Sequence, residues 1–447
     1  MSLPHDSQRS WTPSPKAKLR SAKATASQQS HRFGCISCRY VSLLIFVVTA
    51  LLLQLFLPYT LMQQESYALF LTTPDYLAET FASPWPLSHL AGNFIVQFFH
   101  YPLAGPAIIA FVVTLIFILL GLLLRRSRKA YLAYTVTFLV LLAAGGITLG
   151  THPAVKQLER HSAVEHHAER HDWQRLLQTA TPQATRHDRQ LLPYALLALA
   201  ETGQLPEKMF TYPIQSIDDF CPATWTDRSG HTFAAILYEC LGLTDETIHQ
   251  LYQAADALPH GTSFGTLRKL ATLYRQHGDI LLADKYHDIL SCSTLHSHRR
   301  HLHSPSDNPA ANTPSYPANA PQPRDSVPAV QSNVDNPDAT VNPVQDQSQP
   351  ATSAHNDLLI TPDYFYNLTT LAVHRPNVPI LQQRFLCALL ANRDIARFAD
   401  LWNSLPHPAD APIPSAYQEA LNLATFTLPA APSGPYASYY FQAQPPR

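Results

Sequence analysis

The 447-residue chain has no Gly-rich phosphate loop, no G-x-S-x-G elbow, no H-E-x-x-H zinc signature and no clustered acid pair. The usual short signatures of nucleotide, acyl-transfer and metalloprotease chemistry are therefore missing. Excess charge is missing too: 31 basic residues face 32 acidic ones, so the total points to no nucleic-acid partner. Charged residues make up only 14% and glycine supplies only 14 positions, while 46% of residues are hydrophobic and 38 are proline. That balance suits apolar spans and helices joined by a proline-rich linker.

Residues 1–40 combine Ser, Gln and Pro with Arg9, Lys16, Lys18, Arg20, Lys23, Arg32 and Arg39 and have little to bury, so they read as a disordered basic tail. "VSLLIFVVTALLLQLFLPY" follows without a charge, and at ~1.5 Å per residue it can cross a hydrocarbon layer about 30 Å thick. It reads as a retained anchor, because no small-residue cleavage site follows it. Spans are expected at about 41–59, 105–124 and 130–150, the last two separated by "RRSRK". Arg125, Arg126, Arg128 and Lys129 belong in the cytoplasm with the tail, whereas 61–104 contains no Lys or Arg. Three crossings then place everything after residue 150 in the periplasm or exterior.

"PLSHLAGNFIVQFFHYP" (86–102) is apolar but would reach only about 25 Å as a helix. It reads as an interfacial or re-entrant helix. His89, Asn93, Gln97 and His100 share an arc of about 80° and form a possible polar membrane stripe.

Beyond residue 150 the apolar period becomes that of soluble helices. In 191–210, Leu192, Ala195, Leu196 and Leu199 form a face and Gly203 a stop. In 245–258, Ile248, Leu251, Tyr252 and Ala255 align, with Thr244 or Asp245 as the cap. In "LATLYRQHGDILLADKYHDIL" (270–290), Leu270, Ala271 and Tyr274, with Leu267 before them, pack one helix. Gly278 turns the chain, and Leu281, Ala283, Tyr286 and Leu290 face inward on the next. "FLCALLANRDIARFADLWNSL" (385–405) repeats the theme across an "NRD" turn, and "SAYQEALNLATF" begins another helix. The expected fold class is all-α: transmembrane helices, then a tetratricopeptide-like α-solenoid in two blocks, 151–295 and 357–427. Between them, 296–356 is rich in Pro, Asn, Ser and Gln and reads as a disordered linker; 428–447 reads as a loosely ordered tail.

"YALLALAETGQLPEKMFTYP", "LYRQHGDILLADKYHDIL", "FLCALLANRDIARFADLW" and "AYQEAL", in this order behind membrane spans, resemble an uncharacterised family of bacterial multi-pass inner-membrane proteins with a helical-repeat region. The resemblance covers about 150–295 and 357–427, and 60–150 more loosely. It implies architecture and an inner-membrane location, and assigns no activity, cofactor or catalytic residue.

In "HSAVEHHAERHDW" (161–173) the spacing sets His167 and His171 on one helix face near Glu165 and Glu169, the weak metal candidates; a polar helix beside the membrane explains them without metal. Cys35 and Cys38 form C-x-x-C before the first span and read as juxtamembrane thiols. Cys221, Cys240, Cys292 and Cys387 would lie where disulfides are allowed, and Cys221 with Cys240 is the most local pairing. No catalytic residue, cofactor or metal is assigned. The expected function is a membrane-anchored scaffold whose periplasmic repeats bind another envelope protein, with membrane lipid as the other partner. The alternative is a reduced polytopic glycosyltransferase acting on a lipid-linked sugar, with Glu65, Asp75 or Glu79 as base or metal ligand.

Overall fold

The structure is a computed structural model, described for residues 39–124, 128–221, 227–295, 364–375, 378–405, 412–425 and 434–442. The basic tail with Cys35 and Cys38, the whole of the expected linker and most of the C-terminal tail lie outside the described residues, which are helical with short connections and contain no strand.

Three helices are long and apolar enough to cross a membrane: α1 (Arg39–Phe56), α5 (Ala104–Leu124) and α6 (Arg128–Thr151). Between the first two lie α2 (Pro58–Tyr67), α3 (Pro74–Ala82) and α4 (Pro86–Val96). α1 ends three residues short of the expected 59. Pro58 at the start of α2 excludes the helical conformation from Leu57, which sits at φ −138°.

α1 and α6 run side by side in the same direction. A Cβ on Gly146 would lie 2.9 Å from Leu52, and one on Gly150 2.9 Å from Phe56. Gly-Ile-Thr-Leu-Gly is thus a close-packing surface of the small-xxx-small kind. α5 runs antiparallel to α6, with Gly121 against Tyr131. The segments following α1 and α6 therefore emerge at one end of the bundle.

There they meet. α7 (Pro153–Glu169) packs along α2, and Glu159 caps the first turn of α2 across nearly a hundred residues. Its carboxylate accepts from the Tyr59 and Thr60 N–H groups at 2.9 and 3.0 Å and from the Thr60 hydroxyl at 2.6 Å. Carboxylate at a helix N-terminus satisfies orphan donors and meets the positive end of the dipole.

The helical body continues through α8 (Trp173–Thr179), α9 (Pro182–His187), α10 (Leu192–Glu201), α11 (Leu205–Lys208), α12 (Arg228–Cys240), α13 (Thr244–Asp256), α14 (Phe264–His277) and α15 (Ile280–Ser291). After the gap come α16 (Tyr364–His374), α17 (Pro379–Ala391), α18 (Ile395–Ser404), α19 (Ser415–Ala424) and α20 (Pro435–Gln442). α10 is buried from Leu192 to Ala200; α17 packs against α10 and α11, and α19 against α11. Leu371, Leu390, Phe398 and Tyr417 thereby join Leu196, Leu199 and Phe233 in one core. The helices on either side of 296–356 share this core, and Arg384, 2% exposed, is ion-paired with Glu201 inside it.

The α14–α15 pair packs elsewhere, against Leu69, Phe70, Leu71 and Tyr76, which follow α2. Phe264 N–H donates to the Ala68 carbonyl at 2.9 Å and Thr72 N–H to the Cys292 carbonyl at 3.0 Å. Gly265 allows the approach, since a Cβ there would meet the Ser66 carbonyl oxygen at 2.8 Å. Gly278 closes α14 at φ 91°, as its place in the sequence requires.

Several inward faces differ from the periodicity. Ala283 is fully buried at the crossing, but Leu281, two residues away and so about 200° round the helix, is 85% exposed. Tyr252 is exposed and Tyr286 half-buried, their hydroxyls bonded to each other. Neither Thr244 nor Asp245 caps α13, which starts at Thr244 after Leu243 without a side-chain cap.

Candidate functional site

α7 brings two carboxylates into the junction between the bundle and the body. Glu165 and Glu169 stand four residues apart, so both fall on the helix face turned to α2 and α12. Glu165 is buried and accepts the hydroxyl proton of Tyr67, whose oxygen in turn accepts from Gln63 at 2.6 Å. The guanidinium of Arg228 lies over the Tyr67 ring, 3.5 Å from its centroid. From α14, Arg268 donates two hydrogen bonds to Glu65, at 2.5 and 2.9 Å, and His100 Nδ1 lies 3.7 Å from the same carboxylate. Lys269 next to it pairs with Glu239 at 2.5 Å.

Of these groups Glu65, Tyr67, His100, Glu169, Arg228, Arg268 and Lys269 line a hollow of about 360 Å³ at the end of the bundle where α2 and α7 emerge. Its lining includes Glu65, His100, His166, Glu169, Arg170, Arg228, Arg268 and Lys269 together with the apolar Met62, Ile236, Leu251 and Leu258. Arg268 and Thr272 also line a second hollow of about 390 Å³ between α14 and α15, with Arg275 and His287.

The environment separates the acids. Burial alone would raise the Glu65 pKa, but the hydrogen bonds and charges of His100 and Arg268 outweigh it and hold the group below its ordinary value. At Glu165 burial prevails over the hydrogen bonds from Tyr67 and Gln63, and the pKa rises. Glu169 is pushed up to about 7 by the surrounding protein and then by Glu165, although its side chain stays open to solvent through the hollow. Burial, with Arg170 and His167 nearby, lowers His166 to about 4 and keeps it neutral at neutral pH. The junction can therefore hold an anion against fixed cations and exchange a proton at Glu169.

The sequence-derived candidates are scattered. Of the stripe, Asn93 donates to the Tyr76 hydroxyl at 3.1 Å, buried Gln97 accepts from Thr294 at 2.8 Å, and His100 faces Glu65, while His89 is exposed. The stripe bends because α4 stops at Val96 and Gln97–His100 forms a 3₁₀ turn, which directs these groups to the helical body. His167 and His171 do not share a helix face: α7 ends at Glu169, and His171 sits at φ 54° with its ring edge-on to Trp173. His167 is buried against Tyr59. Among the described residues no group of three or more His, Cys, Asp or Glu side chains is arranged to hold a metal. Asp75 lies in the first turn of α3, and Glu79, largely exposed, is 3.3 Å from His260. Cys221 and Cys240 are free thiols, each pushed up to about 12 by burial first; Cys292 and Cys387 are also unbridged.

Arg228, Arg268 and Lys269 carried no signal in the sequence, because isolated basic residues on amphipathic helices read as solvated. Only the i, i+4 spacing of Glu165 and Glu169 hinted at a convergent face.

The sequence pattern of a family of unknown function (DUF6057) matches residues 35–152 and 145–433, and the chain belongs to that family. Comparison with curated proteins and with solved structures gives no match.

Proposed function

We propose that this family member is a membrane-anchored scaffold whose helical hairpins form a tetratricopeptide-like surface outside the cytoplasm that docks another protein of the envelope. The observation that carries the reading is the way the body is locked to the spans. Glu159 caps α2, Tyr67 of α2 bonds Glu165 of α7, and Glu65 of α2 pairs with Arg268 of α14. An outer surface so held keeps a fixed attitude to the bilayer, as a docking platform needs. Successive hairpins α12–α13, α14–α15, α16–α17 and α18–α19 support the repeat reading. The basic loop Arg125–Lys129 and the basic tail support a cytoplasmic N-terminus, and the parallel α1 and α6 then send the body to the opposite side.

The acids considered for a membrane glycosyltransferase favour the scaffold. Glu65 is held ionised by Arg268 and is a weak base for that reason, and Asp75 occupies a helix start, where a carboxylate stabilises the dipole.

The test keeps the chain intact, since deleting 151–295 would strip the core shared with α16–α19. A photo-crosslinking residue at Leu281, in native membranes, should give one discrete protein adduct that Ile280→Glu beside it abolishes. Absence of a protein adduct there and at the exposed Val373 and Tyr366 would sink the proposal. A reporter active only in the periplasm, fused after Arg447, should be active; silence would put the body in the cytoplasm.

A further inference from the structure

Four permanently cationic side chains, Arg170, Arg228, Arg268 and Lys269, line the junction hollow against two carboxylates, Glu65 and Glu169. Glu65 is balanced by its two hydrogen bonds from Arg268 and Lys269 is paired with Glu239, whereas Arg170 and Arg228 have no ion-pair partner among the described residues and outnumber Glu169, the one remaining carboxylate of the lining. Cations gathered in a recess are stabilised by a matching anion, and about 360 Å³ is room for a polyatomic group. The same lining holds apolar side chains, Met62, Ile236, Leu251 and Leu258. A free oxyanion gains nothing from these, whereas an anion esterified to carbon does.

The hollow also sits beside the spans. Met62 and Glu65 belong to α2, one residue beyond α1, and His100 lies four residues before α5, whose Gly105 packs on Phe99. We propose that the hollow binds the phosphate ester of a membrane-lipid headgroup, with Arg228 and Arg170 on the phosphate, Arg268 and Lys269 adding their charge from within their ion pairs, and the apolar side chains of the lining on the glycerol. Guanidinium groups suit this role because their paired donors match phosphate oxygens. The site does not depend on the scaffold reading, and an unchanged adduct at Leu281 distinguishes the two.

The test is native mass spectrometry of the full chain in an uncharged detergent, titrated with short-chain phosphatidic acid, with diacylglycerol as the phosphate-free control and inorganic phosphate as competitor. One saturable equivalent of phosphatidic acid should bind and diacylglycerol should not. Arg228→Gln and Arg170→Gln should each weaken binding by about tenfold or more, the loss of one charge-assisted hydrogen bond. Arg228→Lys should recover part of the loss, and Arg397→Gln on α18 should change nothing. Arg170 is exposed, so its variant decides the matter even if Arg228→Gln disturbs the Tyr67 contact and fails to fold. Equal binding of diacylglycerol, or unchanged affinity in the Arg170 variant, overturns the proposal. Displacement of the lipid by inorganic phosphate at equal concentration assigns the site to free phosphate and overturns the lipid as its source.

Discussion

α10 and the α14–α15 pair are both built from Leu, Ala and Tyr at helical spacing, yet they occupy opposite situations. α10 is buried on every side from Leu192 to Ala200, with helices from both ends of the chain around it. α14 buries one stripe, Phe264, Leu267, Leu270 and Leu273, and leaves Arg268, Lys269 and Arg275 for the hollows beside it. A helix that is apolar all round organises the interior, and an amphipathic one sets the boundary and carries the charges. In this protein the boundary pair is also the one that grips the segment following the first membrane-length helix, while α7 and α12 serve both the core, through Val164 and Phe233, and the hollow, through Glu169 and Arg228.

The sharpest way to break the comparison is at the core. Arg384→Met leaves Glu201 without its buried cation and should cost about 3–5 kcal/mol, read as a loss of unfolding free energy for the full chain in detergent. A neutral result would mean that α17 is not essential to the α10 core. At the boundary, Ala283→Leu should overpack the α14–α15 crossing by about 1–3 kcal/mol, while Lys285→Ala, on the exposed face, should stay within about 0.5 kcal/mol. Equal stability of these two variants would remove the crossing. Tyr286→Ala should cost roughly 1–2 kcal/mol, below the ~3–5 kcal/mol of a fully buried aromatic, because its ring is only partly buried.

The smallest effect is in pH dependence. The Glu169 pKa is raised by its surroundings and by Glu165 from 4.5 to about 7. The folded chain therefore holds this proton more tightly than the unfolded one. Its stabilising contribution is complete below pH 4.5 and is lost as the pH rises through about 7. Glu169→Gln should flatten the fall in stability across that window, measured as the difference between the two pH profiles. Parallel profiles would place Glu169 in ordinary solvent.

Much of the local structure was legible. The three apolar runs became α1, α5 and α6, Gly203 and Gly278 turn the chain at φ 70° and 91°, and "NRD" joins α17 to α18 with Arg393 at φ 60°. Leu281 misled because it was grouped with Ala283, two residues on, which the helical period sets on the opposite face, and His171 because periodicity cannot tell that α7 stops two residues earlier. Glu65 and His100 were singled out for separate reasons, and their meeting with Arg268 could not be read from residues 203 positions apart.

The sequence by itself determined that the chain carries membrane-length helices, that the remainder is helical, and where most of its turns fall. These are decided by runs of apolar residues, 3.6-residue periodicity and glycine, all of which act within a few residues. Tertiary structure alone decided that α16–α19 close the core opened by α10, that Gly146 and Gly150 seat Leu52 and Phe56, and that acids from α2 and α7 meet the bases of α12 and α14. Each of these is a contact between distant segments, set by which surfaces bury best against one another, and no local pattern encodes the choice.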